Sequence, residues 1–233
     1  SEMCIRDRDR ASERLSKFGS RFSSVWASYS QMAEICHSRG ISQIDGMVAD
    51  LGFSSLQIDG EGYGFSFLRD EPLDMRYDQY QSLTARDIVN SYDHEGLASV
   101  IFRFGEEPRS RSIAREIIRS RPMNTTGELS RAVARAIGPS RRRINPATRT
   151  FQALRIAVTS ELDHLAMGLS EAIDLLTPNG KLVVISYHSL EDRIVKNKLG
   201  EEAARCICPP ELPECICEPV SYTHLTLPTI LLV

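Results

Sequence analysis

The sequence predicts an α/β fold that carries a small helical insertion. Two short apolar runs, residues 46–51 and 181–186, have the length and composition of buried parallel strands. Helical patterns lie next to both runs, whereas residues 84–137 show helical periodicity only. A sheet domain of alternating strands and helices, interrupted by a helical block, is the simplest arrangement that gives this order.

Three short elements are predicted before the first buried strand. We expect an amphipathic helix over residues 9–21 that ends near Gly19, a strand over residues 22–26, and a helix over residues 30–38 closed by Gly40. After the buried strand, the chain becomes rich in glycine and aromatic residues up to residue 82. A loop of this length without regular structure is usually functional.

Capping signals divide the rest of the chain into helices. Residues 109–121 predict a helix with three isoleucines on one face, and Thr125-x-x-Glu128 has the spacing of a capping box for a helix that runs to Ile137. Asn145-Pro146 begins a long helix that reaches about Met167. A turn at 178–180 precedes the second buried strand, and Ser189-x-x-Asp192 predicts the cap of the helix after it.

The net charge of −3 conceals an arginine-rich segment, defined here as residues 103–149. It contains twelve arginines, no lysine and four acids, so it carries +8 and the remainder of the chain carries −11. A positive field of this size suits a polyanion such as nucleic acid. Arginine also suits bidentate phosphate contacts and stacking on bases. The alternative is a solvated helical face with i,i+4 ion pairs.

Composition excludes several other classes of protein. The 233 residues are 42% hydrophobic and 25% charged, which is enough for one core or for one domain with an insertion. The apolar runs are far shorter than the roughly 20 residues of a membrane span, and no signal-peptide pattern is present. We therefore expect a cytoplasmic protein with no membrane partner. The sequence gives no indication of the oligomeric state.

Asp50 is the first candidate site residue because it lies at the end of the first buried strand. Ligands of open α/β sheets bind outside the carboxyl ends of the strands. A carboxylate there can accept a hydrogen bond from an amino group that is being alkylated, or from a cofactor. Small residues follow it, among them Gly52, and allow a close approach. The alternative is an aspartate that caps the next turn.

Two further candidates have weaker support from their position. Asp7, in Asp7-Arg8-Asp9, is an acid of the kind that holds ribose hydroxyls at a strand end, although no strand pattern precedes it. A run of surface charges is the alternative. His188 lies where the second buried strand meets the next helix, and could contact substrate or take a proton. A structural histidine is the alternative.

Four cysteines form a cluster near the carboxyl end of the sequence. Their thiolates could bind one zinc ion tetrahedrally, although the C-x-C spacing is tighter than the usual C-x2-C. The alternative is a set of reduced cysteines in a tail. The four residues are Cys206, Cys208, Cys215 and Cys217.

Four longer segments occur together and in a fixed order. They are DGMVADLGFSSLQID, GYGFSFLRDEPLDMRYD, NPATRTFQALRIAV with ELDHL, and LTPNGKLVVISYHSLEDRIVK. In this combination the chain resembles the MraW (RsmH) family of bacterial small-subunit rRNA cytosine N4-methyltransferases. The resemblance covers roughly residues 7–218.

The resemblance implies an α/β, Rossmann-like class I methyltransferase domain with an inserted small all-helical domain. It implies S-adenosylmethionine as cofactor and methylation of the exocyclic N4 of a cytidine in the decoding centre of 16S rRNA, in the small ribosomal subunit. Four positions match the family's cofactor contacts. They are Asp7 in the family's IDRD, Tyr29 in place of the phenylalanine of G-x-F-S, Asp50 in DLG, and Gln57 in SSPQLD, where Leu56 replaces proline.

Roles in the reaction are assigned as a hypothesis. Asp50 would accept a hydrogen bond from N4 or orient the cofactor, and His188 would contact the substrate. Three consecutive arginines would hold RNA phosphates; they are Arg141, Arg142 and Arg143. The family's first strand and its glycine-rich GGHS loop do not occur ahead of Asp7. We therefore expect the methyltransferase domain to be incomplete and cofactor binding by this chain to be impaired.

The expected domain division has three parts. The methyltransferase domain is discontinuous, an inserted helical domain separates its two segments, and both ends of the chain are expected to be non-native. The bounds are 7–82 with 145–218, then 83–144, then 1–6 with 220–233.

Two other functions stay open at this point. One is a non-catalytic RNA-binding fragment, for which the arginine-rich segment would suffice. The other is a DNA cytosine N4-methyltransferase. Such enzymes usually carry (S/D)-P-P-(Y/F) after the strand, whereas here Leu51-Gly52-Phe53 follows Asp50, which argues against that class.

Overall fold

The computed structural model describes residues 2–52, 62–77, 80–139 and 145–203, with side chains from residue 8 onward. It confirms a mixed α/β architecture. The elements, in chain order, are α1 (Glu2–Leu15), α2 (Met32–Ser38), β1 (Ile44–Asp50), α3 (Ala85–Ser91), α4 (His94–Gly105), α5 (Ser110–Arg119), α6 (Thr126–Ile137), α7 (Ala147–Thr159), α8 (Glu161–Leu175), β2 (Leu176–Ile185) and α9 (Ser189–Glu202). Two short 3-10 helices, Ser16–Arg21 and Tyr29–Gln31, complete the set.

The chain divides into two compact units. The helical unit comprises Ser1–Trp26 and Phe53–Glu161, and the sheet unit comprises Ala27–Gly52 and Leu162–Val233. This division follows spatial contacts and is not the domain division expected from the sequence, which stays a prediction. The two units are described separately below.

The helical unit has a continuous apolar core. Helix α4 packs against α5 and α7, and α5 packs against α6. Ile113 and Ile117 are fully buried on the inner face of α5, as its periodicity predicts. They belong to a cluster of buried residues, which are Leu73, Met75, Ala85, Ile88, Val89, Leu97, Ala98, Ile101, Ile113, Ala114, Ile117, Met123, Leu129, Ala132, Val133, Ala147, Phe151, Leu154 and Val158.

Helix caps in this unit confirm one sequence signal and reveal another. Thr125 accepts a hydrogen bond from Glu128 N, and the Glu128 carboxylate accepts one from Thr125 N, so the predicted capping box is present. Thr84 and Asp87 form a second capping box at the start of α3. Each box satisfies backbone donors that the first helical turn would otherwise leave without partners.

The sheet unit is built on one parallel pair of strands. β1 and β2 pair in parallel and in register from Gly46↔Lys181 to Asp50↔Ile185, as the two apolar runs predict. Neither strand contains a buried residue, so the expected burial of these strands is wrong. The register shifts between Ile44 and Gly46, opposite residues 177–180. The predicted turn at 178–180 therefore lies inside β2 as an irregularity. Leu51, Leu165, Leu169 and Val195 form the buried cluster of this unit.

Three local predictions are wrong. Residues 22–26 form no strand. The long helix expected to reach Met167 is two helices, because Ser160 adopts a left-handed conformation (φ 51°) and ends α7. The cap of α9 is His188, whose side chain accepts a hydrogen bond from Glu191 N, and not Ser189 with Asp192. Asp192 instead pairs with Lys196 one turn later.

Over the ranges that the structure describes, every helix is too short or too polar to cross a lipid bilayer.

Candidate active site

The carboxyl ends of the two parallel strands bring candidate site residues together. Asp50 is the last residue of β1 and is paired with Ile185, the last residue of β2. Leu51 N donates to Ile185 O at 3.0 Å, so the pairing continues one residue past Asp50. The Asp50 side chain is exposed at this edge. Parallel α/β sheets bind their ligands at such an edge.

Tyr187 is tethered to Asp50 across the strand ends. Its hydroxyl donates a hydrogen bond to Asp50 Oδ1 at 2.8 Å. This bond is the main reason that the pKa of Tyr187 is raised above its ordinary value; burial and the negative charges of Asp50 and Glu191 add to it. The backbone N–H of Tyr187 donates to Glu191 Oε2 at 3.0 Å. Both the hydroxyl and the backbone of Tyr187 are therefore anchored.

Gly52 provides the room that the Tyr187 ring occupies. A Cβ atom at position 52 would lie 3.2 Å from Tyr187 Cδ2, which is closer than most real Cβ contacts. Gly52 also has a φ of +87°, a conformation that glycine adopts without strain. The space beside Gly52 is therefore occupied by the side chain of Tyr187.

His188 has a structural role in the described geometry. Its Nδ1 accepts from Glu191 N at 3.4 Å, and its Nε2 lies 3.3 Å from Glu191 Oε1. This pattern fits the neutral tautomer with hydrogen on Nε2, because Nδ1 acts as an acceptor. The imidazole and the Glu191 carboxylate together organise the first turn of α9. The predicted contact of His188 with substrate stays a prediction.

Tyr29 lies in the same unit, at the start of a 3-10 turn. Its ring packs against α8 at Gly168, where an added Cβ would come within 2.5 Å of Tyr29 Cδ2. The residue is 41% exposed, so part of the ring is open to solvent. A glycine in the middle of a helix, which costs helix stability, is explained here by the close approach of an aromatic ring.

The arginine-rich segment has two kinds of arginine. Some hold the fold together: Arg121 Nε donates to Val89 O at 2.6 Å near the end of α3, and Arg109 Nη1 donates to Ile137 O at 2.6 Å. Arg135 and Arg119 bind Glu116 at 2.6 Å and 2.9 Å. These arginines are therefore used in contacts within the fold, although none of these contacts has the i,i+4 spacing of the alternative.

The second kind lies in an exposed row on α5, here called the α5 arginine row: Arg111, Arg115 and Arg119, of which Arg119 also pairs with Glu116. Residues four apart lie on one face of a helix, and all three side chains are exposed. Arg111 and Arg115 make no side-chain hydrogen bond or ion pair with any residue that the structure describes. Their guanidinium groups are available to an anionic partner.

Several predicted site residues cannot be placed against this geometry. The backbone of Asp7 lies within α1, but its side chain is outside the described set. The remaining ones lie outside the described residues altogether, so their cofactor, phosphate and zinc roles stay predictions. They are Gln57, Arg141, Arg142, Arg143, Cys206, Cys208, Cys215 and Cys217.

Sequence reasoning did not single out Tyr187 or Glu191 as site residues. One signal could have found Tyr187. Tyr187 lies two residues past the end of β2, and Gly52 lies two residues past Asp50, which ends β1. Only the strand register shows that these two positions face each other.

These features define a class of protein. An exposed carboxylate and a tethered aromatic residue at the carboxyl edge of a parallel sheet are typical of Rossmann-like α/β proteins that bind a nucleotide-type ligand. The comparison with known proteins then identifies the family. The chain belongs to the MraW methylase family, whose sequence profile matches residues 4–229.

Curated relatives agree with this family. The chain is 51% identical over 208 residues to a ribosomal RNA small subunit methyltransferase H of Dehalococcoides mccartyi, covering 89% of this chain and 60% of the relative. It is 46% identical to the protein of the same name from Thermomicrobium roseum, over 89% of this chain and 65% of the relative. The chain therefore spans about 60% of the length of the Dehalococcoides mccartyi protein.

Proposed function

We propose that this chain is part of an S-adenosylmethionine-dependent methyltransferase that modifies the exocyclic N4 of a cytidine in the decoding centre of 16S rRNA. The observation that carries the proposal is the exposed Asp50 carboxylate at the carboxyl edge of the sheet, in a member of a methylase family. The family membership supports methyl transfer, and the names of the relatives support small-subunit rRNA as substrate. The N4 position rests on the resemblance of the sequence motifs.

The residues present fit such a cofactor and substrate. Among the residues that the structure describes, Tyr187 donates to Asp50 Oδ1 and none donates to Oδ2, which can accept from a ligand. Tyr29, an aromatic residue of the kind that can contact a base, lies in the same unit. Asp7 and Gln57 are the other two positions expected to hold the cofactor. S-adenosylmethionine would supply an electrophilic methyl group on a sulfonium. The lone pair of cytosine N4 would form the N–CH3 bond as the S–CH3 bond breaks, the neutral thioether would be the leaving group, and N4 would release one proton to solvent.

Asp50 has the central role in this proposal. A carboxylate that accepts a hydrogen bond from N4 orients the nitrogen lone pair, and orientation of this kind contributes a large share of the rate of a transfer reaction. The target base must first leave the RNA stack, since a base atom inside a helix cannot be reached.

The test of the active site compares two aspartates of β1. In a full-length relative, the change equivalent to Asp50→Ala is expected to lower methyl transfer to small ribosomal subunits at least a hundred-fold, an order of magnitude typical of lost positioning. Asp45→Ala is the matched control, because Asp45 is an exposed aspartate at the opposite end of the same strand. Unchanged transfer by the Asp50 variant would refute the assignment.

The α5 arginine row supports binding to RNA. Each arginine that contacts a phosphate contributes close to one unit to the slope of log affinity against log salt concentration. Arg111→Ala and Arg115→Ala should each reduce that slope by about one for a small-subunit rRNA fragment, whereas Arg86→Ala, an exposed arginine of α3, should not. The same assay applied to Arg141, Arg142 and Arg143 tests their predicted phosphate contacts.

Calorimetry with S-adenosylmethionine separates the proposed enzyme from an RNA-binding fragment. RNA binding without cofactor binding would support the fragment alternative for this chain. A parallel titration of a full-length relative provides the affinity with which the affinity of this chain is compared.

A further inference from the structure

The structure points to a role for Tyr187 that the family profile and the names of the relatives do not state. We propose that Tyr187 fixes the Asp50 carboxylate through its hydroxyl and presents its ring face to the target cytosine. This inference rests on the proposed function, because it assigns a substrate contact within that same site.

The first step of the argument is that Tyr187 is both exposed and restrained. The residue is 66% exposed. An exposed tyrosine ordinarily samples several rotamers, but this one donates a hydrogen bond to Asp50 Oδ1 at 2.8 Å. Its backbone N–H is held by Glu191 at 3.0 Å, and Gly52 lies against the ring edge. The ring is therefore held in a defined orientation before any ligand arrives.

The second step concerns the Asp50 carboxylate. A free aspartate at a strand end rotates about its side-chain bonds, and this rotation would have to be stopped when a substrate binds. The hydrogen bond from Tyr187 stops it in advance and leaves Oδ2 for an amino group. Tyr187 thus acts on orientation through Asp50, in the manner of a positioning residue.

The third step concerns the ring. A base that has left the RNA stack loses stacking on both sides, and proteins replace that stacking with aromatic side chains. Tyr187 is the aromatic residue that the structure joins directly to Asp50. A cytosine whose amino group approaches Asp50 would therefore have the ring of Tyr187 beside it.

Two substitutions separate the two roles. Tyr187→Phe keeps the ring and removes the hydroxyl, so in a full-length relative we expect kcat to fall about ten-fold while KM for small subunits stays nearly unchanged. Tyr187→Leu removes the ring as well, so we expect KM to rise about ten-fold in addition. Phe102→Leu is the matched control, because Phe102 is another exposed aromatic residue at 60%.

Binding and titration can be measured on this chain without turnover. With 13C-labelled tyrosine, the Tyr187 signal is identified by its loss in Tyr187→Phe. Cytidine 5′-monophosphate should shift that ring signal upfield, and Tyr187→Leu should bind the nucleotide about ten-fold more weakly. The Tyr187 signal should give a pKa above the ordinary value of tyrosine, and Asp50→Asn should lower that pKa.

The outcomes distinguish this inference from the proposed function. A ring signal that the nucleotide leaves unmoved at every concentration would overturn the stacking role, and a titration unaffected by Asp50→Asn would overturn the tether. If the wild-type relative transfers methyl groups to small subunits while both Tyr187 variants keep kcat and KM, only this inference fails. If the wild-type relative transfers none, the proposed function itself fails. Circular dichroism on each variant confirms that it is folded.

Discussion

The helical unit and the sheet unit contain similar apolar side chains but bury them to different degrees. In the helical unit, Ile113 and Ile117 are completely buried within a continuous core. In the sheet unit, Val48 is 69% exposed and Val183 is 51% exposed, although both lie in paired strands. Parallel strands are usually covered on both faces.

This difference in burial separates the two units, and the candidate site lies in the less buried one. The helical unit has a dense core and two complete capping boxes, which are features of a part that folds robustly. The sheet unit has a smaller buried cluster and carries Asp50, Tyr187 and Tyr29. Functional groups commonly lie on the less stable part of a protein, because they must remain accessible.

The largest expected effect compares the same substitution in both units. Ile117→Ala in α5 should lower the free energy of unfolding by about 2–5 kcal/mol, because it opens a cavity in a fully buried core. Ile185→Ala in β2 should cost less than about 1.5 kcal/mol, since Ile185 is 43% exposed. Urea titration followed by circular dichroism measures both values. Equal costs would remove the distinction between the units.

The next effect concerns two glycines of the sheet unit that share a positive φ. Gly40→Ala should cost about 1 kcal/mol from backbone strain alone, because the space around Gly40 is open. Gly52→Ala should cost more, about 2 kcal/mol, since its Cβ would also meet the Tyr187 ring. Thermal unfolding measures the difference between them. A Gly52 variant no less stable than the Gly40 variant would show that the ring can move aside at no cost.

A smaller effect compares the helix caps of the two units. Thr125→Ala should cost about 1 kcal/mol, as is usual for the loss of an N-cap. His188→Asn should retain stability, because asparagine is a strong N-cap residue. If His188→Asn in a full-length relative also keeps methyl transfer, the histidine is a cap only. A folded variant with lost transfer would support the predicted substrate contact.

The smallest effect is a pH dependence of the helical unit. Hydrogen bonds from Thr125, Thr84 and Arg135 are the main causes that lower the pKa values of Asp70, Asp87 and Glu116 respectively. Carboxylates with lowered pKa stabilise the fold above their ordinary values of 3.8 and 4.5, and this stabilisation is lost as the pH falls through the lowered values. The urea concentration at the unfolding midpoint should therefore fall as the pH is lowered from 7 to 3. The midpoint of the Glu116→Gln variant should fall less steeply. Parallel curves for the two proteins would contradict this.

Much of the fold was predictable because its signals are local. The capping box at Thr125 acts over three residues, and the inner face of α5 follows from isoleucines one turn apart. The end of α7 at Ser160 is not predictable from periodicity, because the residues before and after Ser160 both show a helical pattern. The cap of α9 was assigned to Ser189, since a histidine cap has no common sequence signature.

The sequence by itself determined the two parallel strands, the helical block, Asp50 at a strand end and the family. Each of these depends on composition or on residues a few positions apart. Only the tertiary structure joined Tyr187 to Asp50, two residues separated by 137 positions. It also decided that Arg121 caps a helix while Arg111 stays open to a partner. Contacts of this kind depend on strand register and helix packing, which bring distant side chains within bonding distance after the chain has folded.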